Sequence, residues 1–320
     1  MIQFSVIIPN FNHGKYLKDR IDSVLKQSCD SFELIIIDDA SIDNSREIIE
    51  TYRGHPRISH ILYEEKNSGS AFAHWQTGIK LAKADWIWIA ESDDLASPLF
   101  LETAAKMLTG HPDAGLFYCD SEIIDKAGNI IGERFSTTRN RIFSTEKWTS
   151  SYFAKGDEEL DNYLKFDCTV NNSSSAVFKK SLALDKINLL PRFRYYGDWF
   201  FFIKLSQATN IIYSNQALNF YRKHSDSHLH KETSLLISRM EYFTILKCLY
   251  DDPAIHDKKK LADHFALWYL GFGIIQDGAM TGLKILRYYF KTDKKLFFIT
   301  IRNLALIKLF RKKISRKISR

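Results

Sequence analysis

The sequence predicts an α/β fold, a mostly parallel sheet with flanking helices, followed by a helical C-terminal extension. Three observations lead there. Short apolar, β-branched runs alternate with segments of helical period through the first third of the chain. Those runs end in polar and acidic residues, the position at which open α/β sheets hold ligands. Beyond residue 230 the pattern is mainly helical. With 320 residues, 45% of them hydrophobic, the chain can bury a large core, which excludes a disordered or collagen-like polymer.

Residues 4–8, 32–37, 59–63 and 86–90 read as strands, each largely apolar as expected when both faces are covered. Helical spacing separates them near 14–28, 44–53, 70–83 and 98–109. The first run lacks a basic leader and continues directly into Pro9-Asn10-Phe11-Asn12, so it is expected to be a strand rather than a secretory signal. Residues 115–124 read as a further strand, with a turn over 125–129 preceding another. From about 140 to 195 the pattern is irregular, with an acidic stretch at Gly156-Asp157-Glu158-Glu159 and a polar run over 171–175. No stretch approaches the roughly twenty uninterrupted apolar residues of a membrane-spanning helix, and a cytoplasmic body is expected.

The net charge of +7 is unevenly distributed. Residues 284–320 hold thirteen Lys or Arg against the single Asp293, so the body is mildly acidic and the tail strongly basic. Nucleic-acid binding is not expected, because the basic cluster carries no reading motif. Residues 296–310 are apolar, interrupted by Arg302, Asn303 and Lys308, and are followed by Arg311-Lys312-Lys313 and Arg316-Lys317. That combination predicts a tail lying on an anionic inner membrane surface; the alternative is a terminal helix packed on the body. Cys29, Cys119, Cys168 and Cys248 show no zinc or redox spacing and are expected as free thiols in a reducing compartment.

Three acidic sites stand out. Glu91-Ser92-Asp93-Asp94 follows the strand at 86–90, and carboxylates there can hold a divalent cation that neutralises a diphosphate; a capping turn before the helix near Pro98 is the alternative. Asp38-Asp39 ends the second strand, where Asp39 is suited to a base or ribose and Asp43 to capping the next helix. Asp198 precedes the apolar run Trp199–Leu205 and is equally suited to act as a general base or as an N-cap. Further on, Arg222 and His224 lie in a polar segment expected to be a flexible loop reaching a diphosphate, whereas His228 and His230 are expected to be solvated.

In this order the pieces resemble the family-2 inverting glycosyltransferases, which have an A-type nucleotide-sugar-binding, Rossmann-like fold. The matching stretches are residues 5–12, 33–43, Asn67-Ser68-Gly69, 78–82 and 89–94 with Pro98 downstream. By that resemblance Pro9, Asn10, Phe11 and Asp39 would hold the nucleoside, with Asn67 lining the pocket. Glu91, Ser92, Asp93 and Arg222 would meet the rest of the nucleotide sugar. Asp93 would be the leading metal ligand, with Asp94 and His224 as further candidates, and Asp198 would be the general base. The cofactor implied is a divalent cation, Mn or Mg. Partners implied are a nucleotide-sugar donor, in particular a UDP-sugar, and a glycan or lipid-linked glycan acceptor, in the synthesis of surface polysaccharide or lipopolysaccharide. Residues 1–230 would form the catalytic domain, donor half about 1–115 and acceptor half about 116–230, and 231–320 a helical extension with a basic tail. The chain departs from the family at Glu91, where Asp is common, and at His74-Trp75-Gln76, which replaces an Arg-Asn pair. A sugar nucleotidyltransferase would need a Gly-rich basic loop where this chain has Asn10–Gly14, and a dehydrogenase a GxGxxG. A catalytically inactive sugar-binding or assembly subunit remains as the other alternative.

Overall fold

The computed structural model describes residues 3–170, 172–223, 232–266 and 279–303. The chain divides into two compact units, Met1–Leu160 with Cys168–Asp226, and Asp161–Asp167 with Ser227–Arg320.

In the first unit β1 (Phe4–Asn10), β2 (Phe32–Asp38), β3 (Ile58–Tyr63) and β4 (Trp86–Ile89) alternate with α1 (Gly14–Leu25), α2 (Ser45–Glu50) and α3 (Ala71–Leu81). Every residue of β1 and β2 is buried, so their unbroken apolar runs reflect a sheet covered on both sides. The chain continues through β5 (Leu95–Ala96), α4 (Phe100–Gly110), β6 (Ala114–Ile124), α5 (Phe135–Phe143), β7 (Tyr152–Ala154) and α6 (Gly156–Glu159). It then forms β8 (Ala176–Lys179), α7 (Lys180–Ala183), α8 (Gly197–Ser206) and β9 (Asn210–Arg222). The sheet order is β3-β2-β1-β4-β8-β6-β9-β5, with β7 added on β9.

The run β3-β2-β1-β4 is parallel, as the intervening helices require. At β8 the direction reverses, because β8 pairs antiparallel with both β4 and β6, while β6 and β9 run parallel. The sheet is therefore mixed. The strand anticipated after residues 125–129 reduces to one bridge between Ile124 and Ile130. Register fixes the location of the polar strand ends: Asn10 faces Asp38, and the Ala90 N–H donates to the Ile7 carbonyl at 2.8 Å. The carboxyl ends of β1, β2 and β4 thus share one edge.

The second unit is helical: Glu232–Asp251, Lys258–Phe265, Ala279–Thr292 and residues 294–303. Phe243 stacks on Tyr289 at 4.1 Å between centroids, and Phe265 packs 5.8 Å from the same ring, so aromatic burial joins three of these helices. No helix among the described residues is long and apolar enough to cross a membrane. His224, His228, His230 and the tail from residue 304 lie outside the described residues.

Close approach of α3 to β1 is possible only because residue 78 is glycine. A Cβ there would lie 2.5 Å from Ile7 Cγ2. Gly78→Ala is expected to lower unfolding free energy by about 1–3 kcal/mol, the usual cost of overpacking, measured by urea denaturation. A change within error would show that α3 can retreat at no cost.

Candidate active site

The turn after β1 and the turn after β2 are zipped together. Asn10 Nδ2 donates to Asp38 Oδ1 at 2.7 Å, and the Ser41 hydroxyl and N–H donate to the same carboxylate at 2.6 and 3.0 Å. The Asn12 N–H donates to Ser41 Oγ, and the Ile42 N–H to Asn12 Oδ1. Asn12 and Ala40 both take φ of 55°, the left-handed region that Asn tolerates and Ala adopts at a cost. Asp43, expected as a cap, accepts from Ser45 N–H and also from Gly14 N–H, serving the starts of α2 and α1 together. Asn10 and Asp38 are thus framework, and Asp39 is the next residue along.

Asp39 is buried under the segment that follows β3. Ser68 grips it twice, N–H to Oδ1 at 2.7 Å and hydroxyl to Oδ2 at 2.9 Å, and His74 Nε2 approaches Oδ1 at 3.4 Å. Asn67 is exposed; its Oδ1 accepts from the N–H of Gly69, whose φ of 75° closes the turn. Pro9 is buried in β1 and Phe11 is half-buried beyond it.

The β4 end is held just as firmly. Glu91 accepts from the Trp75 indole N–H at 3.1 Å, and its own N–H donates to Ser174 Oγ at 3.0 Å. Ser92 is buried with its hydroxyl 2.8 Å from His13 Nδ1. Asp94, also buried, accepts from Asn172 Nδ2 at 2.5 Å and from the Arg222 N–H at 2.9 Å. Between these two, Asp93 is half-buried. Arg222 corrects an expectation. It does not ride on a flexible loop but ends β9, buried, with Nε on the Asp93 carbonyl and Nη1 on the carbonyls of Asp125 and Lys126. The parallel pairing of β9 with β6, which runs to Arg222 itself, keeps the guanidinium inside.

Burial and mutual repulsion dominate the electrostatics. Desolvation, then the charges of Asp93 and Asp94, push the Glu91 carboxyl up to about 8, and Asp198 adds to the effect. Burial and Asp93 push Asp94 to about 7, against the opposing field of Arg20. Tyr221 is raised to about 12 by burial and by Asp94, Asp93 and Asp198. Asp198, half-buried in the first turn of α8, therefore shares an electrostatic environment with the β4 acids. Its Oδ1 also accepts from the Trp199 N–H at 2.7 Å.

Arg20 is the residue sequence reasoning passed over. It is fully buried on α1, its three guanidinium nitrogens have no hydrogen-bond partner, and it lies 5.0 Å over the Trp88 ring. The carboxylates acting on it are Asp94, Glu91 and Asp93. A signal was present: an arginine within the buried stripe Tyr16, Leu17, Arg20, Ile21, Val24. Ser68, His74, Trp75, Asn172 and Tyr221 were also missed as partners of these acids.

Among the described residues no three His, Cys, Asp or Glu form a metal cage. The donor set instead fits a cation held by one or two carboxylates and completed by phosphate oxygens and water, the habit of Mg and Mn. The half-buried Asp93 beside two carboxyls disfavoured as anions provides the negative charge such an ion would offset.

A raised carboxyl pKa means that the folded state binds the proton more tightly than the unfolded one. The stabilisation from Glu91 is therefore fully present below about 4.5 and is lost as pH rises toward about 8. Melting temperatures of the wild type, in metal-free buffer, are expected to fall more steeply across that window than those of Glu91→Gln. Parallel pH curves would show that Glu91 is ionised throughout.

Comparison with known proteins places this geometry. The model of Glycosyl transferase family 2 matches residues 5–185. Glycosyltransferase GlyG of Streptococcus pneumoniae is 28% identical over 247 residues, 73% of this chain and 75% of that protein. The poly(ribitol-phosphate) beta-N-acetylglucosaminyltransferase TarP of Staphylococcus aureus is 42% identical over 106 residues, 32% of each chain. Among solved structures, S. aureus TarS 1-349 in complex with UDP-GlcNAc superposes with a TM-score of 0.68 at 16% identity, covering 94% of this chain and 88% of the other. The mannosyltransferase PcManGT of Pyrobaculum calidifontis, in complex with GDP-Man and Mn2+, gives 0.57 at 16% identity, over 97% and 88%. With more than half of its length matched by the family model and the acids of the matched region gathered at one sheet edge, this chain is a family-2 glycosyltransferase.

Proposed function

We propose that the chain transfers a sugar, with inversion, from a UDP-sugar to an acceptor hydroxyl in the assembly of a surface polysaccharide. The supporting observation is that Asp198 at the start of α8 acts electrostatically on Glu91 together with Asp93 and Asp94, while Asp39 follows β2 at the same edge of the sheet. The names of TarP and TarS, and the UDP-GlcNAc bound to TarS, favour an N-acetylhexosaminyl donor.

On this reading residues 1–230 are the catalytic domain. Asp39, held by Ser68, takes the nucleoside, with Phe11 and Asn67 forming the rest of the wall and the buried Pro9 and Asn10 fixing the turn behind them. Glu91, Ser92 and Asp93 face the diphosphate end, and Asp93 is the protein's principal ligand to a divalent cation, with His224 as an additional one. When bound, that cation neutralises charge developing on the leaving diphosphate. Arg222 and Asn172 act indirectly, fixing the Asp93 carbonyl and the Asp94 carboxylate. Asp198 takes the proton of the acceptor hydroxyl as its oxygen attacks the anomeric carbon, and the nucleoside diphosphate departs with the electrons of the broken C–O bond. A body on the inner membrane face, anchored by the basic residues beyond 304 and acting on a lipid-linked glycan, completes the proposal.

Asp93→Ala is expected to abolish the manganese-dependent part of UDP binding in calorimetric titration; unchanged metal dependence would remove Asp93 from the site. Asp198→Asn should keep donor affinity and lower turnover by about 10²-fold or more, measured with UDP-GlcNAc and an acceptor panel. A variant that melts earlier at full specific activity would instead identify Asp198 as a helix-start residue only.

A further inference from the structure

The second unit carries a surface that its fold does not use. Along Ala279–Thr292 and residues 294–303, Ile285, Tyr289, Leu296 and Thr300 are buried. The opposite side would ordinarily be polar, yet Leu283, Phe290 and Phe298 stand out with 66%, 38% and 60% of their surface exposed. Phe290 and Phe298 are in edge contact at 6.0 Å, and Phe297 lies 5.6 and 5.4 Å from them, so the rings form one patch spanning the two helical segments. Around it Lys284, Arg287, Lys291, Lys294, Lys295 and Arg302 are all exposed, and Lys294 Nζ sits 5.3 Å over the Phe290 ring.

Asp293 is the one acid between residues 283 and 303. It does not oppose this charge from the surface: its Oδ2 accepts from Lys247 Nζ at 3.1 Å and its Oδ1 from the Leu296 N–H at 2.8 Å. The side chains therefore combine bare apolar groups with a dense positive field. Solvated helices ordinarily show the charge without the rings, and a purely apolar interface the rings without the charge.

We propose that this face docks on an anionic phospholipid surface, with Leu283, Phe290 and Phe298 entering the acyl boundary and the six cations meeting headgroup phosphates. The inference extends the reading of a lipid-linked acceptor and does not depend on the residues beyond 303. A second copy of the chain is the less suitable occupant, since like-charged faces repel across a two-fold axis.

The test is vesicle co-sedimentation of the full chain on phosphatidylcholine alone and on phosphatidylcholine with about a third phosphatidylglycerol, across a salt series. The wild type is expected to bind only the anionic vesicles, and less as salt rises. The combined Leu283→Ser, Phe290→Ser and Phe298→Ser variant should lose about tenfold in binding, with hydrolysis of soluble UDP-GlcNAc unchanged. If that variant misfolds by circular dichroism, Lys294→Gln with Lys295→Gln provides the same comparison on exposed positions. Equal binding by wild type and face variants overturns the proposal. So does loss of binding confined to Arg311→Gln with Lys312→Gln and Lys313→Gln, which would assign anchoring to the tail. A change of mass in light scattering without any change in lipid binding identifies a second copy as the occupant and equally overturns it. Hydrolysis without vesicles reports separately on the transferase reading.

Discussion

The controlling constraint is the electrostatic cost of holding three carboxyl groups at the end of one short strand. Glu91 and Asp94 resist ionisation, and the surrounding structure is organised to tolerate them. Hydrogen bonds arrive from Trp75, Asn172 and the Arg222 N–H, each from a different part of the chain. Arg20 supplies positive charge from inside the fold without hydrogen bonding, which leaves the carboxylate oxygens to other partners. A buried ion without hydrogen bonds is expensive, and the opposing field of the acids is what makes it tolerable.

Helix α3 links the two ends of the site. Its adjacent residues His74 and Trp75 reach Asp39 just beyond β2 and Glu91 just beyond β4. Gly78 lets the same helix press against Ile7 in β1, the strand between them. Asp39 and Glu91 are thus bridged by one helix, which on the proposed reading suits a reaction that depends on alignment of donor and acceptor.

The first half of the fold was legible in the sequence because parallel strands covered on both faces leave continuous apolar runs with polar ends, as in β1, β2 and β4. Beyond β4 legibility fell. β8 is four residues long and β9 carries exposed Asn215 and Gln216 in its middle, so neither shows a clear period. The acids were visible as residues, but their environment was not. Arg222 looked like a loop cation because the end of β9 cannot be located without its pairing to β6. Ser68 and Trp75 are ordinary residue types whose importance arises only from the tertiary approach of α3 and the segment before it.

The double grip of Ser68 on Asp39 has a thermodynamic meaning. On the proposed reading, a nucleobase reaching this carboxylate finds one oxygen already accepting a serine N–H and the other a serine hydroxyl, with acceptor capacity remaining. If the loop must release one of these bonds to admit a donor, apparent affinity would be the intrinsic affinity multiplied by the fraction of molecules whose loop has let go. Substitutions in residues 67–70 that never touch the sugar would then alter donor affinity through that fraction.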